Sequence, residues 1–323
     1  MARRYTRAEF LARLRAEIGR GKPLLMTAAG NGIAAKFIER GGVDILGVYN
    51  TGYLRMQGWG SLAGMLPIAD ANEMVYTMGR REVLPQVKEV PVIAGLNGVD
   101  PLRDMRLFLE DCRRIGFSGV HNFPTVAWFD GEFRRTLEGT GLGYEHELGM
   151  LRLARELDML AIGYAFNPAD CERLMREAAP DIFIFHAGIT RGGSTGYAGG
   201  SGIEDTARRS QEHYRIARRI KVHENLELLV NPHLSHLIAL SLSGFSYLFT
   251  YHITQTEAKR AIVTSVMEYC QTGAISMVTD YGRRHRLDGL FKHHFDHETK
   301  AIREQHLTEL YQDKPFMAEI SLA

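Results

Sequence analysis

Short apolar segments, most of them β-branched, recur along this chain, and each runs into a polar turn and then into a stretch with helical spacing. Leu24-Leu25-Met26 opens into Thr27-Ala-Ala-Gly-Asn-Gly32 ahead of Ala35, Phe37 and Ile38, and Val43 to Val48 ends at Tyr49-Asn50-Thr51-Gly52. Val90 to Ala94 ends at Gly95-Leu-Asn97-Gly-Val-Asp100-Pro101, Ser118-Gly-Val120 at His121-Asn122, and Met159 to Tyr164 at Asn167-Pro168. Asp181 to Phe185 ends at His186, Leu226 to Val230 at Asn231-Pro-His233, and Phe245 to Thr250 at Tyr251-His252. A strand apolar on both faces belongs to a parallel sheet covered by helices.

Eight such strand-then-helix units over about 250 residues predict an α/β fold of the TIM (β/α)8 barrel class. An open doubly wound sheet is the alternative. It would place one Gly-x-Gly-x-x-Gly turn after the first strand, and Ala28-Ala-Gly-Asn-Gly32 fits that poorly. Thr6 reads as the N-cap of a leading helix that carries Phe10, Leu11, Leu14 and Ile18, and Asp100-Pro101 and Asn167-Pro168 read as helix starts. A helix is expected over Ala71 to Val87, another over Glu145 to Leu157, a third over Ile203 to Ile220, and a short one ending at Leu242. Two long loops, one through Tyr53, Arg55, Gln57 and Trp59 to Pro67, the other through Trp128, Asp130 and Gly131 to Gly143, have the length of functional loops. The barrel with its leading helix is expected over residues 1–269. Residues 270–323 form a C-terminal arm with an oligomerisation role, because its apolar end needs a partner and a second copy is the simplest one. In that arm His293 and His297 lie one helical turn apart, a spacing that can hold zinc but that fits a solvated amphipathic helix face better, since no Glu lies between them in the zincin order.

With 39 basic and 38 acidic side chains the formal net charge is +1, so no global field favours nucleic acid or a membrane surface. The expected partners are a small anionic substrate and copies of the chain itself. Cys112, Cys171 and Cys270 lack metal spacing, no apolar stretch follows the basic start of the chain, and no apolar run reaches spanning length. These features predict a reducing, cytoplasmic setting.

A TIM barrel carries its site at the C-terminal ends of its strands. Those positions hold Thr27, Asn31, Asn50, Asn97, Asp100, His121, Asn122, Tyr164, Asn167, His186, Thr190, Asn231, His233, Tyr251 and His252. In the segment from His186 to Gly196, glycines Gly188, Gly192, Gly193 and Gly196 allow close backbone approach while Thr190, Arg191, Ser194 and Thr195 supply donors. A flexible surface loop is its plainer reading.

Two chemical readings follow. In the first, His186 or His121 is a general acid/base, beside Asn122, with Thr27, Asn31, Asn50, Asn97, Arg55 and the Thr190–Ser194 donors, including Arg191 and the Gly192 and Gly193 N–H groups, binding substrate and an enolate or oxyanion. In the second, some of His121, His186, His233 and His252 hold a divalent metal that polarises a carbonyl or water. Zn²⁺ or Fe²⁺ suits imidazoles, whereas Mg²⁺ would want carboxylates that this set lacks. Each histidine could equally be a satisfied core residue. Tyr53, Phe123 and Trp128 read as pocket walls or subunit contacts.

Asp100-Pro-Leu-Arg-Asp104-Met, Ile115-Gly-Phe-Ser-Gly-Val-His-Asn-Phe-Pro-Thr125, Thr140-Gly-Leu-Gly-Tyr144 and His186-Ala-Gly-Ile-Thr-Arg-Gly-Gly-Ser194 resemble the phosphoenolpyruvate hydrolase-like, or TIM-barrel signal transduction, family. The resemblance spans roughly residues 10–200. It implies a TIM barrel of the phosphoenolpyruvate/pyruvate superfamily, whose members make or break C–C or P–C bonds beside a 2-oxo acid through an enolate. It also implies a Tm-1-like ATP-binding protein as partner, since some members are fused to such a domain. The resemblance equally allows a non-catalytic metabolite-binding or signalling barrel. Where the family carries His-Gly-Gly-Pro on strand seven, this chain reads Leu229-Val-Asn-Pro-His233.

Overall fold

The computed structural model describes residues 2–20, 24–186, 188, 197, 199, 203–224 and 238–240. In chain order these form α1 (Arg7–Gly19), β1 (Leu25–Ala29), α2 (Gly32–Arg40), β2 (Ile45–Val48), α3 (Asn50–Met56), α4 (Ala71–Met78), β3 (Val92–Leu96), α5 (Met105–Ile115) and β4 (Gly119–Asn122). There follow α6 (Gly131–Gly139), α7 (Tyr144–Glu156), β5 (Leu160–Ala165), α8 (Pro168–Arg173), β6 (Ile182–Phe185), α9 (Ile203–Glu224) and β7 (Ile238–Leu240). The strands make one parallel sheet in the order β6-β5-β4-β3-β2-β1-β7. Sequence order from β1 to β6, with a late strand returning to the free edge of β1, is the topology of a (β/α) barrel.

Side chains on the two faces of the sheet enter different cores. Leu46, Val48, Val92, Ala94, Val120 and Ala161 pack outward against the helices. Met26, Ile45, Ile93, Leu160, Ile162, Ile182 and Ile184 fill the interior together with Phe10, Leu11 and Leu14 of α1. Thr6 caps α1 in a reciprocal capping box with Glu9. The helix lies across the N-terminal ends of the strands. Tyr5 N donates to Ser118 Oγ at 3.0 Å, Arg7 N to Asp158 Oδ1 at 3.1 Å, and the Arg7 guanidinium to the buried Asp181 at 2.5 and 2.8 Å. Burying Phe10, Leu11 and Leu14 stabilises this plug by about 1.5–3 kcal/mol per side chain. With that end stoppered, the interior is left to open at the C-terminal ends.

Several expectations need correction. The first long loop is partly helical, since α3 begins at Asn50 and a 3-10 turn spans Ser61–Met65. The second contains α6, which buries no residue and so leaves no apolar stripe to read. The helix expected to run on to Val87 gives way at Gly79 to a π-helical turn over Gly79–Val83, where a Cβ would come 2.3 Å from the Phe117 ring. The helix after β3 starts at Met105, capped by Asp104, because Asp100 is already engaged by Arg103, Asn72 and the Leu102 N–H. The stretch expected as a short helix ending at Leu242 contains β7, which pairs with β1 from Leu25↔Ile238 to Thr27↔Leu240. The strands expected at Leu226–Val230 and Phe245–Thr250, and the arm at 270–323, lie outside the described residues. No helix among the described residues is long and apolar enough to cross a membrane.

Candidate functional site

Strand alternation decides which predicted residues meet inside the barrel. On β4, Val120 faces the helices, so His121 faces the interior, where it is completely buried. Its ring centroid lies 4.3 Å from Tyr49, which follows β2, and 4.6 Å from Tyr164 on β5. Among the described residues neither His121 Nδ1 nor Nε2 has a hydrogen-bond partner, and the buried Tyr49 hydroxyl has only the phenol of Tyr164 near enough to couple to it. Tyr49 and Tyr164 approach closely enough for each phenol to affect the other's ionisation. Room for the Tyr49 ring comes from β2 and β3. A Cβ on Gly47 would come 2.5 Å from the Tyr49 hydroxyl, and one on Gly95 would come 2.1 Å from Tyr49 Cδ1.

His186 leaves β6 on the same inner face and at the same mouth. Its N–H continues the ladder to Ala165 O at 3.0 Å, and its Nδ1 accepts from Gly188 N at 3.1 Å. An accepting Nδ1 puts the proton of the neutral ring on Nε2. Phe166 (4.7 Å), Trp128 (5.1 Å), Tyr164 (5.4 Å) and Phe123 (6.4 Å, stacked) surround this half-buried imidazole. The structure thus brings His121 and His186 to one aromatic mouth, where both contact Phe123 and Tyr164.

Burial holds both imidazoles well below the usual histidine range, and the proximity of His186 adds to the effect on His121. Burial likewise raises both phenols, Tyr164 to about 12. At neutral pH the inner wall is therefore a set of uncharged donors and acceptors. That revises the basis of the acid/base reading, which took histidine at its ordinary pKa.

The other predicted residues are placed elsewhere. Asn122 points outward, where its Nδ2 donates to Glu147 Oε2 at 2.8 Å and Tyr164 O at 3.3 Å while its Oδ1 accepts from Tyr164 N at 2.7 Å. Thr27 shares register with the helix-facing Leu46, and its buried Oγ1 has no partner. Asn31 caps α2, Asn50 bridges Thr51 N and Gly64 O, and Asn97 accepts from Val99 N. The buried Arg55 donates to Ser61 Oγ. Thr190, Arg191, Gly192, Gly193, Ser194, His233 and His252 lie outside the described residues. Among the described residues no three His, Cys, Asp or Glu side chains converge as a metal site.

Sequence reasoning missed Glu147, which is fully buried on α7 and bonded to Asn122, Thr125 and Val126. The signal was present. Glu147 falls in the buried stripe Tyr144, Leu148, Leu151, where a carboxylate is out of place.

The family model described as phosphoenolpyruvate hydrolase-like matches residues 9–230. The chain belongs to this family. The matched span includes His121, Glu147 and His186. Two proteins of Solanum lycopersicum, ToMV resistance protein Tm-1(GCR237) and ToMV susceptible protein tm-1(GCR26), are each 48% identical over 200 residues, or 62% of this chain. The chain spans about a quarter of their length, with 26% of each covered. Among solved structures, phosphonopyruvate hydrolase in complex with oxalate and Mg²⁺ aligns over 92% of this chain and 99% of its own, with a TM-score of 0.46 and 14% identity.

Proposed function

We propose that this family member is an enzyme that cleaves a C–C or P–C bond of a small oxo acid through an enolate, by lyase or hydrolase chemistry. The observation that carries the reading is the buried His121, whose two nitrogens have no partner among the described residues in the interior that faces the open end. An unsatisfied buried polar group costs about 1–3 kcal/mol, and a site that binds a carbonyl oxygen returns that cost when occupied. As the scissile bond's electron pair moves onto the carbonyl, charge grows on the oxygen. The N–H of His121 and the hydroxyl of Tyr49 are then fixed, uncharged donors in a water-poor setting, where each such donor is worth about 10²–10³ in rate. The group freed from the broken bond leaves as a carbonyl compound once its hydroxyl gives up a proton, in a lyase, or is captured by water as phosphate or an acid, in a hydrolase, and the enolate takes the proton so released at carbon to give the oxo-acid product. His186, presenting Nε2–H, is the group assigned to the substrate carboxylate.

One observation favours a second reading, a barrel that binds a metabolite without turnover. Among the described residues no carboxylate stands beside either imidazole to make it a strong base at neutral pH. In either case we assign the chain a homo-oligomeric, cytoplasmic existence beside a Tm-1-like ATP-binding protein.

A panel of 2-oxo acids, 3-oxo acids and phosphonates, followed for both turnover and thermal stabilisation, tests the reading. Turnover that disappears in His121→Phe with the fold intact is the expected result. Stabilisation by a panel member without turnover selects the binding barrel, and neither effect across the panel overturns the assignment of the site.

A further inference from the structure

We propose that Glu147 is a positioning residue, the one carboxylate that fixes both aromatic walls of the His121–His186 mouth. The inference rests on the reading of that mouth as the ligand site.

All three hydrogen bonds reaching this carboxylate come from the segment that leaves β4. Its Oε2 accepts from Asn122 Nδ2 at 2.8 Å and Thr125 Oγ1 at 2.6 Å, and its Oε1 accepts from Val126 N at 2.7 Å. Each bond leads to a site aromatic. Asn122 passes the hold to β5 by bonding both N and O of Tyr164, the residue whose ring lies against His121. Thr125 accepts from Ala127 N at 3.0 Å and so caps the 3-10 turn Val126–Trp128, whose last residue packs on His186 and Phe166. Between them lies Phe123, with its ring 6.1 Å from Tyr49. The helix carrying the carboxylate has no slack, because a Cβ on Gly98 would come 2.8 Å from the Glu147 Cα. One fully buried side chain thus sets the register of the Tyr164 wall and of the Phe123–Trp128 wall together.

A carboxylate buried for stability alone would show the same bonds. What separates the two roles is whether its charge state is read at the mouth. Burial pushes Glu147 up to about 7, against the opposing pull of Thr125, Asn122, Val126 N and Arg134. The charged groups that face it are Arg134 of α6 and, through Arg134, Glu138 of α6 and Asp170 of α8. Tyr144 on its own helix stays un-ionised. His121 and Tyr164 stand on the opposite face of β4 and β5, α5 presents the buried Leu109 and Cys112, and the turn 174–178 carries only exposed charges. Burial thus brings Glu147 to about 7, and Trp128 sits where the change would be felt.

The test uses the full chain without ligand, in a Trp59→Phe background that leaves Trp128 as the only tryptophan. Trp128 emission followed from pH 5 to 9 is expected to show one transition near neutrality that is absent in Glu147→Gln and present in His186→Phe. Thr125→Val, which removes a hydrogen bond to the ionised form, is expected to raise the midpoint by roughly one unit. A flat profile in the Trp59→Phe chain, or a transition that persists in Glu147→Gln, overturns the assignment. Should Glu147→Gln not fold, an unmoved midpoint in Thr125→Val overturns it instead. Because no ligand is added, this outcome is independent of the oxo-acid panel, and either proposal can fail without the other.

Discussion

Gly95 and His121 are register partners on adjacent parallel strands, and a Cβ at position 95 would lie 2.9 Å from His121 Nε2. The vacancy opposite the imidazole is thus a property of one residue on β3. Both rings of the inner pair, His121 and Tyr49, depend on it.

Gly95→Ala is expected to destabilise the fold by about 1–3 kcal/mol, the usual cost of overpacking a full core. The added methyl meets the Tyr49 ring itself, not the end of a flexible chain, so Tyr49 must move off His121. Urea denaturation measures the first effect, and loss of ligand stabilisation measures the second. A variant of unchanged stability that still binds would show that the rings have room to spare.

His121→Phe should have the opposite effect on stability. It keeps a planar ring between Tyr49 and Tyr164 but removes two buried nitrogens that have no partner among the described residues. A gain of about 1–3 kcal/mol is expected, coupled to loss of whatever the site binds or turns over. That pairing marks a group kept for function at the expense of stability. Equal or lower stability in the variant would mean that the nitrogens are satisfied in solution.

Much of this was legible in the sequence. Thr6 and Asn167-Pro168 announced helix starts because capping is local chemistry, and they cap α1 and α8. His121 and His186 could be placed at one mouth because barrel topology sends every strand end there. Which face of its strand a residue takes was not legible. Strands buried on both sides read as continuous apolar runs, so nothing in the pattern separates Thr27 and Asn122, which face outward, from His121, which faces in. Ile238–Leu240 was hidden for a related reason, as a short apolar run fits a strand and a buried helical turn equally well. Glu147 was visible as an anomaly in an apolar stripe, but only the coordinates show what it holds.

At the closed end of the barrel, Asp181 is fully buried and accepts from Arg7, with Ala161 N donating to it at 2.9 Å. Removing the carboxylate strands the Arg7 contact and frees the start of β5, so Asp181→Ala is expected to cost about 3 kcal/mol. Arg7→Met should cost more, because it leaves the fully buried Asp181 charge with only Arg155 at 3.7 Å, whereas the Arg7 guanidinium left by Asp181→Ala is 21% exposed and can be rehydrated. Denaturation midpoints of the two variants test that order, which would be reversed if Arg155 moved in to pair with Asp181.

The buried groups of the mouth also fix how stability responds to pH, and their signs oppose. His121 and His186 have folded pKa values below the ordinary 6.5. Their contribution is complete above pH 6.5 and is lost as pH falls toward the folded values, a slope of about +1.4 kcal/mol per pH unit for each ring. Glu147 is raised from 4.5 to about 7, so its contribution is complete below pH 4.5 and is lost as pH rises through 7, a slope of about −1.4 kcal/mol per unit. Between pH 4.5 and 6.5 the positive slopes of the two imidazoles oppose the negative slope of Glu147. His121→Phe should lower the measured slope by one such increment, and Glu147→Gln should raise it by one. Denaturation of the wild type and both variants at several pH values in that window reads the slopes directly. Parallel lines for all three proteins would mean that the interior is wet enough to leave these groups at their ordinary pKa values.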